Sequence, residues 1–464
     1  MRVLTTATIA GGEGVRGSRL WLSVVALSTL SVVSMDSLAV PIALNQAGEG
    51  LHGSIALLEW TVIAYNLAFA ALVPTSCALY ARHGSRRVLS AGQALLAGAS
   101  VLCALAPDGA WLVAGRTVQG AAAALVVPAV LFRASRIPSP RTRGVVLPGC
   151  AGGIIELSAA AGPLVCAAVA QGEDWRWIFW LNVPVCLLAL GLTAVHGAEE
   201  YTGRRRTDVG SALALGVGTF SLAWAVTRSA RTGWADAQVL AGLGVGVVLL
   251  AYSLAGHVPM GLFRVKEFLA ARIGYACACA GLYCMVLLQS WYFLAAEPQG
   301  RPLGAWLHLL PWCLGLLACA PLAETLALKV GTSRLMALGL SAAALSLGLL
   351  AWDVHQGSAY SRLLFPLLLG GCGIGVALPA GQTLALVVPA KTLPSGAGVA
   401  AVGALRNVGG ALGVAVVGAL PHGYASGATH SSPVQLAPAI ALAGVICLAG
   451  SVVYFALPSR RSPI

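Results

Sequence analysis

Residues 175–184 read Trp-Arg-Trp-Ile-Phe-Trp-Leu-Asn-Val-Pro, and they open an apolar run that continues to residue 195. A helix that crosses the hydrocarbon core of a bilayer needs about 20 predominantly apolar residues. Outward from this stretch, in both directions, the sequence contains fourteen runs that meet the requirement. Their approximate limits are 20–44, 57–80, 88–106, 111–132, 144–170, 178–195, 209–227, 237–256, 268–294, 303–327, 335–352, 362–388, 395–420 and 435–457. The pattern predicts an all-α integral membrane protein with fourteen transmembrane helices.

The composition is that of a membrane protein. Of the 464 residues, 58 % are apolar and only 9 % are charged, whereas a soluble globular protein has about 25 % charged residues. These values exclude a disordered chain, a nucleic-acid-binding protein, a secreted disulfide scaffold and a large soluble enzyme. The 12 cysteines lie in apolar runs, and none pairs with a histidine at a metal-ligand spacing. We therefore interpret them as small core residues and expect no metal and no cofactor.

The distribution of basic residues predicts the orientation of the chain. If both termini are cytoplasmic, 21 of the 28 Lys and Arg residues fall in cytoplasmic segments and 5 in outer loops, as the positive-inside rule requires. The net charge of +12 then reflects topology and does not indicate an anionic partner. Because no nucleotide-binding loop of the form G-x-x-x-x-G-K-[ST] occurs, we expect an ion gradient rather than ATP to supply energy.

Ionisable residues inside membrane spans are costly and usually functional. Asp36 lies in the first run, Arg116 in the fourth and Glu156 in the fifth. A carboxylic acid removed from water is a candidate for exchanging protons, and an arginine that approaches or leaves it changes its proton affinity. The alternative for Asp36 is a packing hydrogen bond to a neighbouring helix, and for Arg116 a structural contact with Asp36 or a backbone carbonyl. For Glu156, a functional role and a packing role are equally open.

Several short motifs, taken together, resemble those of a known family. They are, in chain order, residues 35–44 (an acidic first-span motif), Trp60 and Tyr65 (W-x-x-x-x-Y), Arg116, Gln119 and Gly120 (R-x-x-Q-G), Gly162 and Pro163 (a fifth-span glycine-proline motif), residues 175–184 (W-R-W-I-F-x-I-N-V-P), and Arg406 with its neighbouring glycines. The chain resembles the major facilitator superfamily, and more closely its fourteen-span drug:proton antiporter family. The resemblance covers about residues 20–457.

The loop after the second run resembles the family motif G-x-L-A-D-R-x-G-R-R-x-x-L, with two departures. The matching positions are Arg82, Gly84, Arg86 and Arg87. Cys77 replaces the first glycine and Ala81 replaces the acid. In the family that acid helps to hold the cytoplasmic gate shut, so its loss keeps a non-transporting membrane sensor open as an alternative. The resemblance gives motif or gating roles to all of the matched loop, glycine and glutamine positions and to Arg406.

The resemblance also implies an architecture. Residues 1–195 would form an amino-terminal six-helix bundle and residues 263–464 a carboxy-terminal one, each built from inverted three-helix repeats. Residues 196–262 would form two extra central transmembrane helices. The family further implies a functional monomer. The excess of Arg over Lys and the abundance of Ala and Gly favour a GC-rich bacterial genome, and hence a bacterial plasma membrane.

The function that the resemblance implies is export of a hydrophobic or amphipathic small molecule, of the antibiotic or drug type, in exchange for protons. Asp36, Arg116 and Glu156 would couple protons to transport, without nucleic-acid partners or enzymatic chemistry. The candidates for the substrate cavity are Trp60, Tyr65, Gln289 and Trp312. Alternatives are a facilitator or importer of a small metabolite, and an integral-membrane enzyme, for which the sequence offers no catalytic constellation.

Overall fold

The computed structural model describes residues 28–36, 55–135, 175–196, 209–257, 266–296, 307–390, 405–406, 408–413 and 436–455. Within these ranges the regular structure is helical. Seven helices among the described residues are long and apolar enough to cross a membrane. The all-helical membrane architecture predicted from the apolar runs is therefore confirmed for this part of the chain.

Twelve named helices lie within the described ranges. They are α1 (Ile55–His83), α2 (Ser85–Ala104), α3 (Gly109–Ser135), α4 (Trp177–His196), α5 (Val209–Thr232), α6 (Ala237–His257), α7 (Lys266–Ala296), α8 (Leu310–Cys319), α9 (Ala323–Val330), α10 (Thr332–His355), α11 (Tyr360–Ala390) and α12 (Ala437–Phe455). Two further helical segments, 28–36 and 405–413 without residue 407, complete the described part.

Ten of the predicted apolar runs each correspond to one of these helices, with ends that differ by a few residues. The run predicted at 303–327 differs, because it forms two helices, α8 and α9, separated by a turn at residues 320–322. Pro321 lies in that turn, and proline has no N–H to donate and clashes with the preceding helical turn. The fifth run, 144–170, lies outside the described residues, so the total of fourteen stays a prediction.

The helices pack in two sets. In the amino-terminal half, α3 packs against α1 and α2, and α2 also packs against α4. In the carboxy-terminal half, α11 packs against α7, α8 and α10, while α12 packs against α7 and α10. The helices α5 and α6 pack against each other, and α5 also contacts α1, where the rings of Trp60 and Phe220 are 5.5 Å apart.

Polar side chains in the amino-terminal set are concentrated at one buried place. Asp36, Arg116, Gln119 and Asn182 are all at most 2 % exposed, although they come from the segment 28–36, α3 and α4. Large apolar side chains of the same helices are exposed instead, for example Trp111 and Leu188. An apolar exterior around a polar interior is the arrangement that a lipid environment requires.

Candidate functional site: a buried ion pair between three helices

The centre of the site is an ion pair between Asp36 and Arg116. The Asp36 Oδ2 atom accepts a hydrogen bond from Nη1 of Arg116, and the two side chains are 2 % and 0 % exposed. Removing two charges from water costs several kcal/mol per ion unless each is paired and hydrogen-bonded. The remaining contacts of both side chains therefore decide whether the pair is stable.

Arg116 has partners on two helices besides Asp36. Its Nη1 donates to Oε1 of Gln119 at 2.8 Å, one turn further along α3. Its Nε donates to the carbonyl oxygen of Thr61 on α1 at 3.4 Å, and its guanidinium carbon lies 4.3 Å from the ring centre of Tyr65. Both sequence-based alternatives for Arg116, a contact with Asp36 and a contact with a backbone carbonyl, are present together.

The Gln119 amide is itself oriented by α2. Its Nε2 donates to Oγ of Ser100 at 2.8 Å, and that hydroxyl donates to the carbonyl of Leu96 at 2.8 Å. Its Oε1 also accepts from the thiol of Cys103 at 3.4 Å. These bonds fix which end of the amide faces Arg116, because an arginine has only donors and needs the amide oxygen.

The second oxygen of Asp36 is held by α4. Nδ2 of Asn182 donates to Oδ1 of Asp36 at 2.8 Å, and Asn182 is completely buried. The stretch 175–184 therefore contributes directly to the site. Sequence reasoning quoted Asn182 within this stretch but gave it no role. An amide in the middle of an apolar span was the signal that could have found it.

The same stretch also anchors the start of α4. Nη2 of Arg176 donates to the carbonyl of Ala106 at 3.0 Å, beyond the last turn of α2. The Arg176 guanidinium lies 4.6 Å from the ring centre of Trp175. The first residues of the stretch thus fix α4 against the loop between α2 and α3, and the asparagine two turns later reaches Asp36.

A glycine brings α1 and α3 together beneath the ion pair. A Cβ atom added to Gly120 would overlap the carbonyl oxygen of Tyr65, so only glycine permits this approach of the two backbones. Tyr65, which is also a candidate for the substrate cavity, lies under Arg116 with 1 % of its surface exposed. The motif residues Gln119 and Gly120 thus both help to position the side chain of Arg116.

The junction of α1 and α2, at Gly84, together with the first turn of α2, fixes the other end of α4. Gly84 has φ 85° and ψ 161°, a left-handed conformation that favours glycine. Nη2 of Arg86 donates to the carbonyl of Ala194 in the last turn of α4, where a cation is favourable for the helix dipole. Arg82 and Arg87 are exposed. The side chains of Cys77 and Ala81 lie outside the described residues.

The two candidate cavity residues of the carboxy-terminal half, Gln289 and Trp312, are distant in sequence from the ion pair and contact different residues. Gln289 is 5 % exposed and lines a cavity of about 10 Å³ between α7, α10, α11 and α12, which is room for about one water molecule. Nε1 of Trp312 donates to Sδ of Met285 at 3.1 Å, and Met285 lines the same cavity. Gln289 and Trp312 therefore share a neighbour, while Trp60 packs toward α5.

Three predicted positions, Glu156, Gly162 and Pro163, lie outside the described residues. Arg406 lies in the helical segment 405–406 and is partly buried. No group of three or more His, Cys, Asp or Glu side chains that could hold a metal ion occurs among the residues that the structure describes. The chemistry of the site is that of a single carboxylate with one cation and two amides around it.

The sequence match to protein families covers this site. The model of the Major Facilitator Superfamily matches residues 25–296, which is more than half of the chain and includes Asp36, Arg116 and Asn182. The chain belongs to the Major Facilitator Superfamily. This membership agrees with the apolar helices long enough to cross a membrane. It indicates that the chain is a transporter rather than an enzyme.

Several proteins with similar sequences are named for drug resistance. The puromycin resistance protein pur8 of Streptomyces alboniger is 30 % identical over 386 residues, which are 81 % of this chain and 76 % of that protein. The tetracenomycin C resistance and export protein of Streptomyces glaucescens is 28 % identical over 376 residues, 79 % of this chain and 69 % of that protein. A multidrug resistance protein B homolog of Mycobacterium tuberculosis is 28 % identical over 367 residues, 76 % of this chain and 68 % of that protein.

Proposed function

We propose that this protein exports hydrophobic or amphipathic small molecules of the antibiotic type in exchange for protons. The observation that carries the proposal is the buried pair of Asp36 and Arg116. Ionisable side chains inside membrane spans are retained mainly where they bind substrates or carry protons. The names of the relatives, which include resistance and export proteins for two antibiotics, support a drug-like substrate.

Asp36 is the proton carrier in this proposal. When Asp36 is ionised, the Arg116 guanidinium neutralises it and the segment 28–36 is held against α3. When Asp36 takes up a proton from the outside, this attraction is lost and the two elements are free to separate. Protonation would release substrate outside and permit the switch inward, and loss of the proton to the cytoplasm would let the next substrate bind. Glu156 is proposed as a second proton site.

The proposed architecture divides the chain at the extra helices. Residues 1–195 and 263–464 form two six-helix bundles, and residues 196–262 supply two central spans, for fourteen in total. The separate packing of α1 to α4 and of α7 to α12 supports this division. Both termini are proposed to be cytoplasmic in a bacterial plasma membrane, with the monomer as the functional unit. The residues proposed to contribute to the substrate cavity are Trp60, Tyr65, Gln289 and Trp312.

The test is resistance conferred on an efflux-deficient bacterium. The full chain and its Asp36→Asn variant are expressed at equal membrane abundance, and growth is measured against a panel of antibiotics and dyes. We expect the wild type to protect against at least one compound and Asp36→Asn to abolish that protection. Asp236→Asn is the matched control, because Asp236 caps α6 by accepting from the backbone N–H groups of Gln238 and Val239, away from the ion pair.

Each outcome decides one element of the proposal. Resistance that survives Asp36→Asn keeps export but removes Asp36 as the proton carrier and moves attention to Glu156. The absence of resistance to every compound, with the protein present in the membrane, favours an importer or a non-transporting sensor. Substrate uptake into everted membrane vesicles, which corresponds to export from the cell, would establish the coupling directly if it collapses when the proton gradient is dissipated.

A further inference from the structure

The two oxygens of the Asp36 carboxylate have different partners. Oδ2 faces the guanidinium of Arg116, and Oδ1 faces the amide of Asn182 at 2.8 Å. Arginine carries only hydrogen-bond donors, whereas a carboxamide carries a donor group at one end and an acceptor at the other. A proton placed on Oδ2 would point at a donor. The proton that neutralises Asp36 must therefore sit on Oδ1, the oxygen that faces Asn182.

The side-chain oxygen Oδ1 of Asn182 is available to accept a hydrogen bond from that proton. This atom is buried, and none of the described residues donates a hydrogen bond to it. A buried amide oxygen without a donor costs free energy in the state that the structure shows. A turn of the carboxamide by about 180° about its terminal torsion, which is broad and roughly two-fold, would bring this oxygen to the position now held by Nδ2.

We propose that the carboxamide of Asn182 turns over each time Asp36 gains or loses its proton. With Asp36 ionised, Nδ2 of Asn182 donates to Oδ1 of the carboxylate. With Asp36 protonated, the new O–H of Asp36 donates to Oδ1 of Asn182, and this hydrogen bond replaces the one from Nδ2. The only covalent bond that forms or breaks is the O–H of Asp36. Asn182 is a positioning residue, and the proposal rests on Asp36 as the proton carrier.

The surroundings of Asp36 leave this role to Asn182. Among the residues that the structure describes, the titratable side chains near the pair are Tyr65 of α1, Cys103 of α2, Arg116 of α3 and Cys186 of α4. Arg116 is the charged one among these four. In the protonated state Arg116 keeps three partners, which are the Gln119 amide oxygen, the Thr61 carbonyl and the Tyr65 ring. Both members of the pair thus stay hydrogen-bonded in either state.

The test is infrared difference spectroscopy of the full wild-type chain in liposomes between high and low pH. The sequence contains only four asparagines, Asn45, Asn66, Asn182 and Asn407, so protein labelled with ¹³C at the asparagine side-chain carbonyl gives few bands. We expect a protonated-carboxyl band that Asp36→Asn removes. One labelled amide carbonyl band should move to lower frequency with the same pH midpoint, because its oxygen changes from unpartnered to accepting.

A substitution then assigns the band. In Asn182→Leu, which has a similar shape without hydrogen-bonding atoms, the Asp36 carboxyl band should move to higher frequency, because its O–H has lost an acceptor. Gln93→Leu is the matched control. Gln93 is also a buried amide whose Nε2 donates to the segment 28–36, at Oγ1 of Thr29 and 3.1 Å, without contacting Asp36. The control should leave the Asp36 band in place.

The outcomes separate this inference from the proposed function. A carboxyl band of Asp36 without any labelled amide shift at the same midpoint overturns the turnover of Asn182 and leaves proton uptake by Asp36 intact. Equal shifts of the carboxyl band in Asn182→Leu and Gln93→Leu overturn it as well. A spectrum in which Asp36→Asn removes no band overturns both, because Asp36 then takes up no proton. The labelled wild-type experiment decides the matter even if Asn182→Leu fails to fold.

Discussion

Gly120 lies directly against the carbonyl oxygen of Tyr65, so closely that an added Cβ atom would overlap it. The same relationship joins Gly371 of α11 to the carbonyl of Trp312 on α8. In both halves, therefore, a glycine permits the close approach of two packed helices beside a buried aromatic residue, Tyr65 or Trp312. Close backbone approach through small residues is how membrane helices gain packing energy in lipid.

Substitution of Gly120 should separate α1 from α3. We expect Gly120→Ala to lower stability by about 1–3 kcal/mol, the usual cost of overpacking, and to reduce transport because Arg116 loses the support of the Tyr65 ring. Thermal unfolding in detergent measures the first effect. Gly98→Ala is the control, because an added Cβ at Gly98 meets nothing within 4 Å. Equal melting temperatures for the two variants would contradict the prediction.

The ion pair predicts a non-additive pattern of stability. Asp36→Asn and Arg116→Gln each leave one buried charge without its partner, which should cost about 3–5 kcal/mol. The double variant leaves no charge, so it should unfold at a higher temperature than either single variant while remaining inactive. Thermal unfolding of the four proteins completes the cycle. Additive losses would show that the two side chains do not interact in the membrane protein.

Arg116→Lys should abolish most transport although it keeps the positive charge. A lysine ammonium does not reach the Asp36 carboxylate, the Gln119 amide and the Thr61 carbonyl together, and it does not stack on Tyr65 as a planar guanidinium does. The loss of one charge-assisted hydrogen bond, about 1.5–3 kcal/mol, corresponds to about a tenfold to hundredfold fall in the initial rate of efflux from vesicles.

The control for this exchange is Arg362→Lys, because Arg362 is exposed near the start of α11. It should retain the wild-type rate of efflux. If Arg116→Lys also retained that rate, the positive charge alone would suffice and the geometry around Arg116 would have no functional weight.

The first turn of α2 gives a further prediction. Arg86→Gln removes the cation at the carboxyl end of α4, where Arg86 contacts the Ala194 carbonyl. We expect a loss of about 0.5–1 kcal/mol and faster hydrogen exchange of amides in the last turn of α4, measured by mass spectrometry. Arg82→Gln, at an exposed position in the last turn of α1, should leave that exchange unchanged.

The apolar pattern was sufficient to predict where most helices lie. The predicted run 178–195 and the helix α4, Trp177–His196, differ by one residue at each end, because length and hydropathy alone define a span. The break between α8 and α9 was missed, since the flanking residues stay apolar and hydropathy does not register the missing N–H of Pro321.

The site was predictable in its charges but not in its polar contacts. Asp36 and Arg116 stood out because charge is rare in an apolar span. The Thr61 carbonyl and the Ser100 hydroxyl carry no such signal, because both belong to residues that are common in membrane helices. Asn182 meets Asp36 across 146 positions of the chain, and local sequence does not reveal such a distant pairing. The place of Tyr65 under Arg116 depends on the angle between α1 and α3, which the sequence does not reveal.

The hydrogen bonds of α4 have a mechanical consequence. This helix is pinned at its start, in its first half and in its last turn, by three bonds to three different elements. They join Arg176 to the carbonyl of Ala106, Asn182 to Asp36, and the carbonyl of Ala194 to Arg86. At 1.5 Å per residue, the distance from the first turn of α4 to Ala194 is about 26 Å, close to the thickness of the hydrocarbon core.

Because α4 is held at three points, it cannot shift along its axis at one of these contacts without shifting at the other two. Hydrogen-bond lengths vary by only about 0.5 Å, so a larger axial displacement of α4 breaks or remakes all three bonds together. We therefore expect the proposed change of charge on Asp36, which reaches α4 through Asn182, to affect the contacts of Arg176 and Arg86 at the two ends of the helix.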